Sequence, residues 1–272
     1  MSDAWDPGQY DTFAAERAQP FWDLAALLEA GPLERAVDLG CGTGSLTAEL
    51  VERRGIASML GLDSSPSMLA EAAPRTTARL RFAAGDIGSW TAAPDHDLVV
   101  SNAALQWVPD HVAVITRWWA ALRPGGQLAV QVPANADHPS HVVAAAVAAS
   151  EPFRSAMGGT PPADPVATNV LAPEQYAVLL DDLGATRQHV RLQVYGHALA
   201  RSSDVVEWVK GTSLTRFTNV LPPEVREEFL ATYTRRLLAA IGDRSPYFYP
   251  FKRILFWGRK QRDEGMQPSG RS

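Results

Sequence analysis

The sequence is poor in the residues that build covalent or metal frameworks. Its single cysteine is Cys41. That excludes an intrachain disulfide and a cysteine-based zinc site, and it fits a reducing compartment. No apolar run approaches the roughly 18 residues a transmembrane helix needs. Residues 1–10 lack the charged and then apolar pattern of a secretory leader. Positive charge is also short, with 25 Lys and Arg against 30 Asp and Glu and a formal net charge of −5. A mildly acidic chain has no overall attraction to a phosphate backbone, which disfavours a nucleic-acid partner. These absences predict a cytoplasmic protein with no metal and no membrane association, acting on a small molecule as a monomer or weak homo-oligomer.

What is present suits a folded enzyme. Hydrophobic residues make up 46% of the chain and charged residues 20%, enough to build a full core. Eight tryptophans are many, and so large a ring with one N–H donor often faces a ligand or an interface.

The hydrophobic pattern alternates strand and helix. A helix over residues 20–30 stops at Gly31-Pro32, and strands follow at 35–39, 58–62, 80–84, 97–102 and 127–132. Helices fall between them at 46–54, 66–73 and 111–122. The stretch 97–102 (DLVVSN) is apolar on both faces, as in a parallel sheet covered on both sides. After Pro133 the order changes to an Ala-rich helix at 139–157, a Gly/Pro-rich loop at 158–170, and helices at 173–183, 202–210 and 223–240. Two late strands are expected at 187–197 and 254–258. The predicted fold class is therefore α/β, a Rossmann-like seven-stranded mostly parallel sheet with helices on both faces and a helical cap from C-terminal insertions. The expected division is an N-terminal segment 1–30 that closes over the site, a domain 31–260 with cap elements around 136–172 and 200–250, and a disordered tail 261–272.

Chemistry concentrates at the strand ends. The first strand runs into Asp38-Leu39-Gly40-Cys41-Gly42-Thr43-Gly44, where glycines permit a tight strand-to-helix turn and a close backbone approach by a ligand. A lone G-x-G is also what a generic turn looks like. Asp38 ahead of it would repel a pyrophosphate and favours a cationic ligand, S-adenosyl-L-methionine rather than NAD. Asp38 also reads as an acceptor for the backbone of its own turn. Asp63, with Ser64 beside it, ends the second strand, where a carboxylate can accept both ribose hydroxyls. The competing role for Asp63 is capping the helix that begins near Pro66. Asp86 and Ile87 follow the third strand, placed for an adenine amino group and ring, or else as a solvated turn. Asn102 ends the fourth strand, at the crevice where such sheets bind ligands.

The ordered set DLGCGTG, LGLDSS, AAGDI and VVSNAALQW resembles the successive motifs of the class I S-adenosylmethionine-dependent methyltransferases. The segments from Trp5 to Arg17, Asp63 to Met68, Asn102 to His111 and Ala129 to Pro133 are similar to the trans-aconitate 2-methyltransferase family within that class. So are VVEWVKGTSLTRF and YPFKRILFWGRK. The loop at 158–170 is longer than that pattern. The resemblance implies S-adenosyl-L-methionine as cofactor, S-adenosyl-L-homocysteine as its product, and methyl transfer to a carboxylate of a small tricarboxylate, giving a monomethyl ester. A carboxyl group titrates near pH 4, so at neutral pH it is already the nucleophile and no catalytic base is needed.

The other carboxylates need cations and donors, for which an arginine fork is well shaped. Candidate substrate-binding residues are Arg17, Trp107, His111, Tyr195 and Arg216, with Trp208, Arg244 and Tyr249 behind them. Surface ion pairing, core packing and helix-end solvation are the competing roles for these side chains. Trp5 and Tyr10 are placed to close over the cofactor or to pack as an apolar clasp. The Leu-Gln-Trp stretch is also similar to the malonyl-carrier-protein methyltransferases of biotin synthesis. A non-catalytic S-adenosylmethionine-binding protein and a dinucleotide oxidoreductase are the readings outside that chemistry.

Overall fold

Alternation along the strands decides what each face of the sheet buries. In the computed structural model, which describes residues 14–262, Val37 and Leu39 of β1 (Arg35–Leu39) join one core, and Ala36 joins the other. On the Ala36 face lie α1 (Ala14–Ala25) and α2 (Ser45–Arg54), contributing Phe21, Leu24, Leu50 and Val51. β2 (Ser58–Asp63) and β3 (Leu80–Ala84) extend the sheet in parallel, with α3 (Pro66–Ala72) between them. β4 (His96–Asn102) lies on the other side of β1, followed by α4 (His111–Ala120) and β5 (Leu122–Pro133). Val114, Ile115 and Trp118 of α4 pack on the Val37 face with Tyr176 and Leu180 of a later helix.

Beyond β5 the chain forms α5 (Pro139–Ala148), α6 (Phe153–Ala156), α7 (Pro165–Asn169) and α8 (Pro173–Asp182). It returns as β6 (Ala185–Leu199), then α9 (Asp204–Lys210), α10 (Thr215–Thr218), α11 (Pro223–Ile241) and β7 (Tyr247–Lys260). The seven-stranded sheet has the order β3-β2-β1-β4-β5-β7-β6, and β7 alone runs against its neighbours. The order reverses between β1 and β4. In an open α/β sheet that switch point opens a crevice above the strand ends.

The first helix spans Ala14–Ala25 rather than 20–30, β5 begins at Leu122 rather than 127, α7 lies inside the stretch expected as a loop, and two further departures shape the cap. The Ala-rich helix at 139–157 is interrupted after Ala148, and Pro152 caps the short α6, because proline has no N–H to continue a helix. The last strand begins at Tyr247 rather than at 254. It pairs with β6 from Leu199↔Tyr247 to Ala185↔Lys260, so this antiparallel pair extends past its neighbour β5. Tyr247, Tyr249 and Phe251 on that extension join α5, α6, α9, α10 and α11 in a separate core containing Trp208, Phe217, Phe229 and Tyr233. This is the cap. The expectations for Trp5, Tyr10, the Arg17 side chain and the tail from residue 263 fall outside the described residues.

Candidate active site

The turn after β1 is held from outside. The N–H groups of Gly40 and Cys41 both donate to the carbonyl of Leu62 at the end of β2, at 2.8 and 2.9 Å. Gly42 N–H donates to Asp63 Oδ2 at 2.8 Å, and Ser65 N–H donates to Asp63 Oδ1 at 2.9 Å. One carboxylate thus clamps the glycine turn to the start of the next loop. Each of its oxygens still has a lone pair to offer a ligand. Gly40 has φ +86°, and a β-carbon there would stand 2.1 Å from that of Ala104. Gly42 has φ +56°, and a β-carbon would enter open space on a cavity wall.

That cavity holds about 480 Å³ and lies over the β1–β4 switch point. Gly40, Gly42, Asp63, Ser64, Asp86, Ile87 and Asn102 all line it, together with Met68 and Trp107. Its roof comes from the cap, through Thr215, Arg216 and Asn219. Asp86 accepts from Gly88 N–H and the Ser89 hydroxyl, both at 2.9 Å. The Gly88 bond, helped by Ser89, holds its carboxyl below the ordinary range. Asn102 Oδ1 is buried on the cavity wall with no hydrogen-bond partner, an acceptor that suits a ligand donor. A nucleoside-sized ligand fits this volume and its ring of acceptors, so the residues present suit S-adenosyl-L-methionine.

Asp38 is not on the wall. Strand alternation turns it beneath the glycine turn, where it is 3% exposed and accepts from the Thr47 hydroxyl of α2 at 2.6 Å. Its other oxygen has no partner. Burial, with the Asp63 charge adding to it, outweighs the Thr47 bond and pushes its carboxyl up to about 7. The expected place of Asp38 on the ligand wall is thereby corrected: its carboxyl is buried and held by Thr47 of α2.

A smaller cavity of about 100 Å³ opens beside the first. The two share Asn102, Ala103, Trp107 and Arg216. Ala103 has φ +53°, rare for a residue with a β-carbon, and its N–H and C=O are fixed by Gln131 and Gln106. The walls of the smaller cavity include Trp208 and Phe251 and the polar groups of His141, Asp164, Ser213 and Arg253. Arg216 Nη1 lies 3.0 Å from Asp164 Oδ2, while its Nε is buried without a partner. Arg253, 7% exposed, donates from Nη1 to Gln131 Oε1 at 3.3 Å, and its guanidinium lies 4.8 Å from the centre of the Phe251 ring.

Two expected substrate residues lie elsewhere. His111 is buried between α4 and α8, where its Nε2–H donates to the Leu105 carbonyl at 3.0 Å. Tyr176 accepts from Leu171 N–H, so its hydroxyl proton goes to His111 Nδ1, 2.6 Å away. Burial keeps the imidazole below its usual range, and it joins the 3₁₀ turn Leu105–Trp107 to the helices as a neutral link. Tyr195 points to the α1 face, donating to Asp23 Oδ2 at 2.8 Å within the core of that side. Alternation along β6 turns it there, away from the cap. Tyr249 is fully buried in the cap core and lines neither cavity. The sequence reading missed His141, Asp164, Ser213 and Arg253. His141 lay within an Ala-rich stretch, Asp164 in a loop, and Arg253 just before the expected strand.

A family profile described as a methyltransferase domain matches residues 36–126. The chain is 44% identical over 255 residues to the trans-aconitate 2-methyltransferase of Deinococcus radiodurans, covering 93% of this chain and 96% of that protein. It is 40% identical over 267 residues to the protein of the same name from Streptomyces avermitilis, covering 95% and 97%. Among solved structures it superimposes on Haemonchus contortus phosphoethanolamine N-methyltransferase 2 in complex with S-adenosyl-L-methionine, with TM-score 0.55 and 17% identity. That match covers 90% of this chain and 53% of that one, and the likeness is one of fold. By its sequence kinship over nearly its whole length, the chain belongs to the trans-aconitate 2-methyltransferase family.

Proposed function

We propose that this protein methylates one carboxylate of trans-aconitate to give the monomethyl ester, with S-adenosyl-L-methionine as donor and S-adenosyl-L-homocysteine as by-product. The observation that carries it is the joining of two cavities: a larger one ringed by acceptors, and a smaller one with two arginines. When bound, the cofactor supplies an electrophilic methyl group on a sulfonium. Asp63 accepts the ribose hydroxyls while keeping Gly42 and Ser65 in place. Asp86 accepts the adenine amino group, and Ile87 packs on the ring. Gly40, Gly42 and Ser64 shape the backbone cradle, and Asn102 Oδ1 accepts a donor at the mouth between the cavities.

In the smaller cavity Arg216 and Arg253 hold carboxylates and Trp107 walls the passage. The Nε of Arg216 and the Ser213 hydroxyl are buried donors ready for an anion. No side chain takes a proton. The protein's work is to align oxygen with methyl carbon and to exclude water. Arg17 remains a proposed clamp. The proposal includes the division into an N-terminal segment 1–30, a domain 31–260 with its cap, and a tail. It also includes action in the cytoplasm on a small molecule, with no nucleic acid, as a monomer or weak homo-oligomer. Among the described residues no helix is long and apolar enough to cross a membrane.

The test is incubation with labelled S-adenosyl-L-methionine and a panel of di- and tricarboxylates, a malonyl thioester included, with the ester identified by mass spectrometry. A labelled monomethyl ester of trans-aconitate is expected. Label transfer to the thioester alone sinks the proposal.

A further inference from the structure

The methyl-transfer reading leaves Asp164 without a task, yet its carboxylate lies in the cavity assigned to a polyanion. It arrives on the Gly/Pro-rich loop and begins α7, where Oδ1 accepts from Val166 N–H at 3.0 Å. That bond accounts for one oxygen. Oδ2 accepts from His141 Nδ1 at 2.8 Å and from Arg216 Nη1 at 3.0 Å. Loop, α5 and α10, far apart in sequence, meet at this single oxygen. The three side chains are 6–11% exposed. Burial alone would raise the Asp164 carboxyl, but the His141 bond and the Arg216 charge outweigh it and hold the group below the usual carboxylate range. It remains an anion at neutral pH.

Arg216 is the one charged side chain, among the described residues, that lines both cavities. It therefore stands where the methyl group would cross. In the transfer, an oxygen–carbon bond forms as the carbon–sulfur bond breaks and its electron pair stays on sulfur. Carboxylate and sulfonium both lose their charge, leaving a neutral ester group and a neutral thioether. A bare guanidinium beside the attacking oxygen would stabilise the starting carboxylate more than the transition state, whose negative charge is already partly spent. Such an interaction tightens binding and slows the step.

We propose that Asp164 is a positioning residue that acts through Arg216. It occupies the Nη1 edge and offsets the charge, so that the unpartnered Nε edge meets the substrate and the attacking oxygen is not over-bound. The loop at 158–170 would then be the element that delivers this counter-charge. The inference rests on the carboxylate-methylating reading.

The experiment is steady-state kinetics with trans-aconitate on the full chain, Asp164→Asn, Arg216→Gln and the double variant. Calorimetric titration of trans-aconitate into each protein, saturated with S-adenosyl-L-homocysteine, accompanies it. Asp164→Asn should lower kcat about tenfold with KM equal or lower, and should bind trans-aconitate at least as tightly. On the Arg216→Gln background the same change should alter kcat by less than about twofold. A raised KM with unchanged kcat, or an equal loss on both backgrounds, overturns the proposal. Asp164→Ser keeps an acceptor for Val166 N–H while removing the charge, and it must show the same split if Asp164→Asn does not fold. A parent protein that methylates no carboxylic acid refutes the functional reading instead. In that case weaker trans-aconitate binding by Asp164→Asn still counts against the role given to Asp164.

Discussion

Asp38 is buried behind the glycine turn rather than on the cavity wall. Its carboxyl is pushed up to about 7, chiefly by burial. In an unfolded chain the same group titrates near pH 4. Between these values the folded protein keeps a proton that the unfolded chain has released, so this group's contribution to stability falls as pH rises. Asp38→Asn cannot ionise and keeps an acceptor for Thr47. Its melting temperature should therefore gain on the parent from pH 5 to pH 8, by several degrees in the difference between the two. Parallel curves would refute the assignment. Asp63 makes the opposite case. Both its oxygens accept backbone N–H groups. Asp63→Asn presents an amide donor to one of those N–H groups and leaves it without an acceptor. That should cost about 1–3 kcal/mol of stability. Titration with S-adenosyl-L-homocysteine should also show affinity reduced by about tenfold or more, in line with two lost charge-assisted bonds. A variant that melts lower yet binds equally well would confine Asp63 to the turn.

At the scale of elements, the β1 turn and the β4 loop are built against each other. A β-carbon on Gly40 would collide with Ala104, so Gly40→Ala must shift one loop or the other. Overpacking of this kind costs about 1–3 kcal/mol, and the loops that move line both sides of the cofactor cavity. A melt should show the loss, and the titration should show weaker cofactor binding with it. Retained stability and binding would mean that the loops yield freely. The same local logic explains what was legible in the sequence. Strand, glycine turn, acid and helix follow one another within short stretches, so Gly42, Asp63, Asp86 and Asn102 could be read as a set, and they line one cavity. Their neighbours along the chain carried the signal. His111 was misread because its place after β4 suggested the crevice, while helix rotation turns the ring to Tyr176 and the Leu105 carbonyl. The smaller cavity was legible only in part: Trp107, Trp208 and Arg216 could be read as substrate candidates and do line it, whereas His141, Asp164, Ser213 and Arg253 could not. Its polar groups come from α5, the 158–170 loop, the segment around α10 and β7, and only packing brings these together.

At the scale of the molecule, one strand belongs to three cores. The first part of β7 supplies Tyr247, Tyr249 and Phe251 to the cap, and the second supplies Ile254, Leu255, Phe256 and Trp257 to the two faces of the sheet. β6 pairs with it along the whole length. The cap cannot detach without breaking the ladder that also forms the edge of the sheet, so the two should lose structure together. Phe229 tests this, because it lies deep in the cap, fully buried, with ring centres 5.4 Å from Phe153 and 5.5 Å from Phe217. Phe229→Ala should cost about 3–5 kcal/mol, the usual range for deleting a buried ring. Far-ultraviolet dichroism should follow the whole fold, and tryptophan fluorescence should weigh Trp208 in the cap against Trp118 and Trp257 in the cores on the two faces of the sheet. Coupled cores predict that both signals move to lower temperature by the same amount and stay coincident. An early fluorescence change, with the dichroic transition left in place, would show a cap that melts alone. The smaller cavity, whose walls come from both cap and sheet, would then be assembled only when the cap is docked.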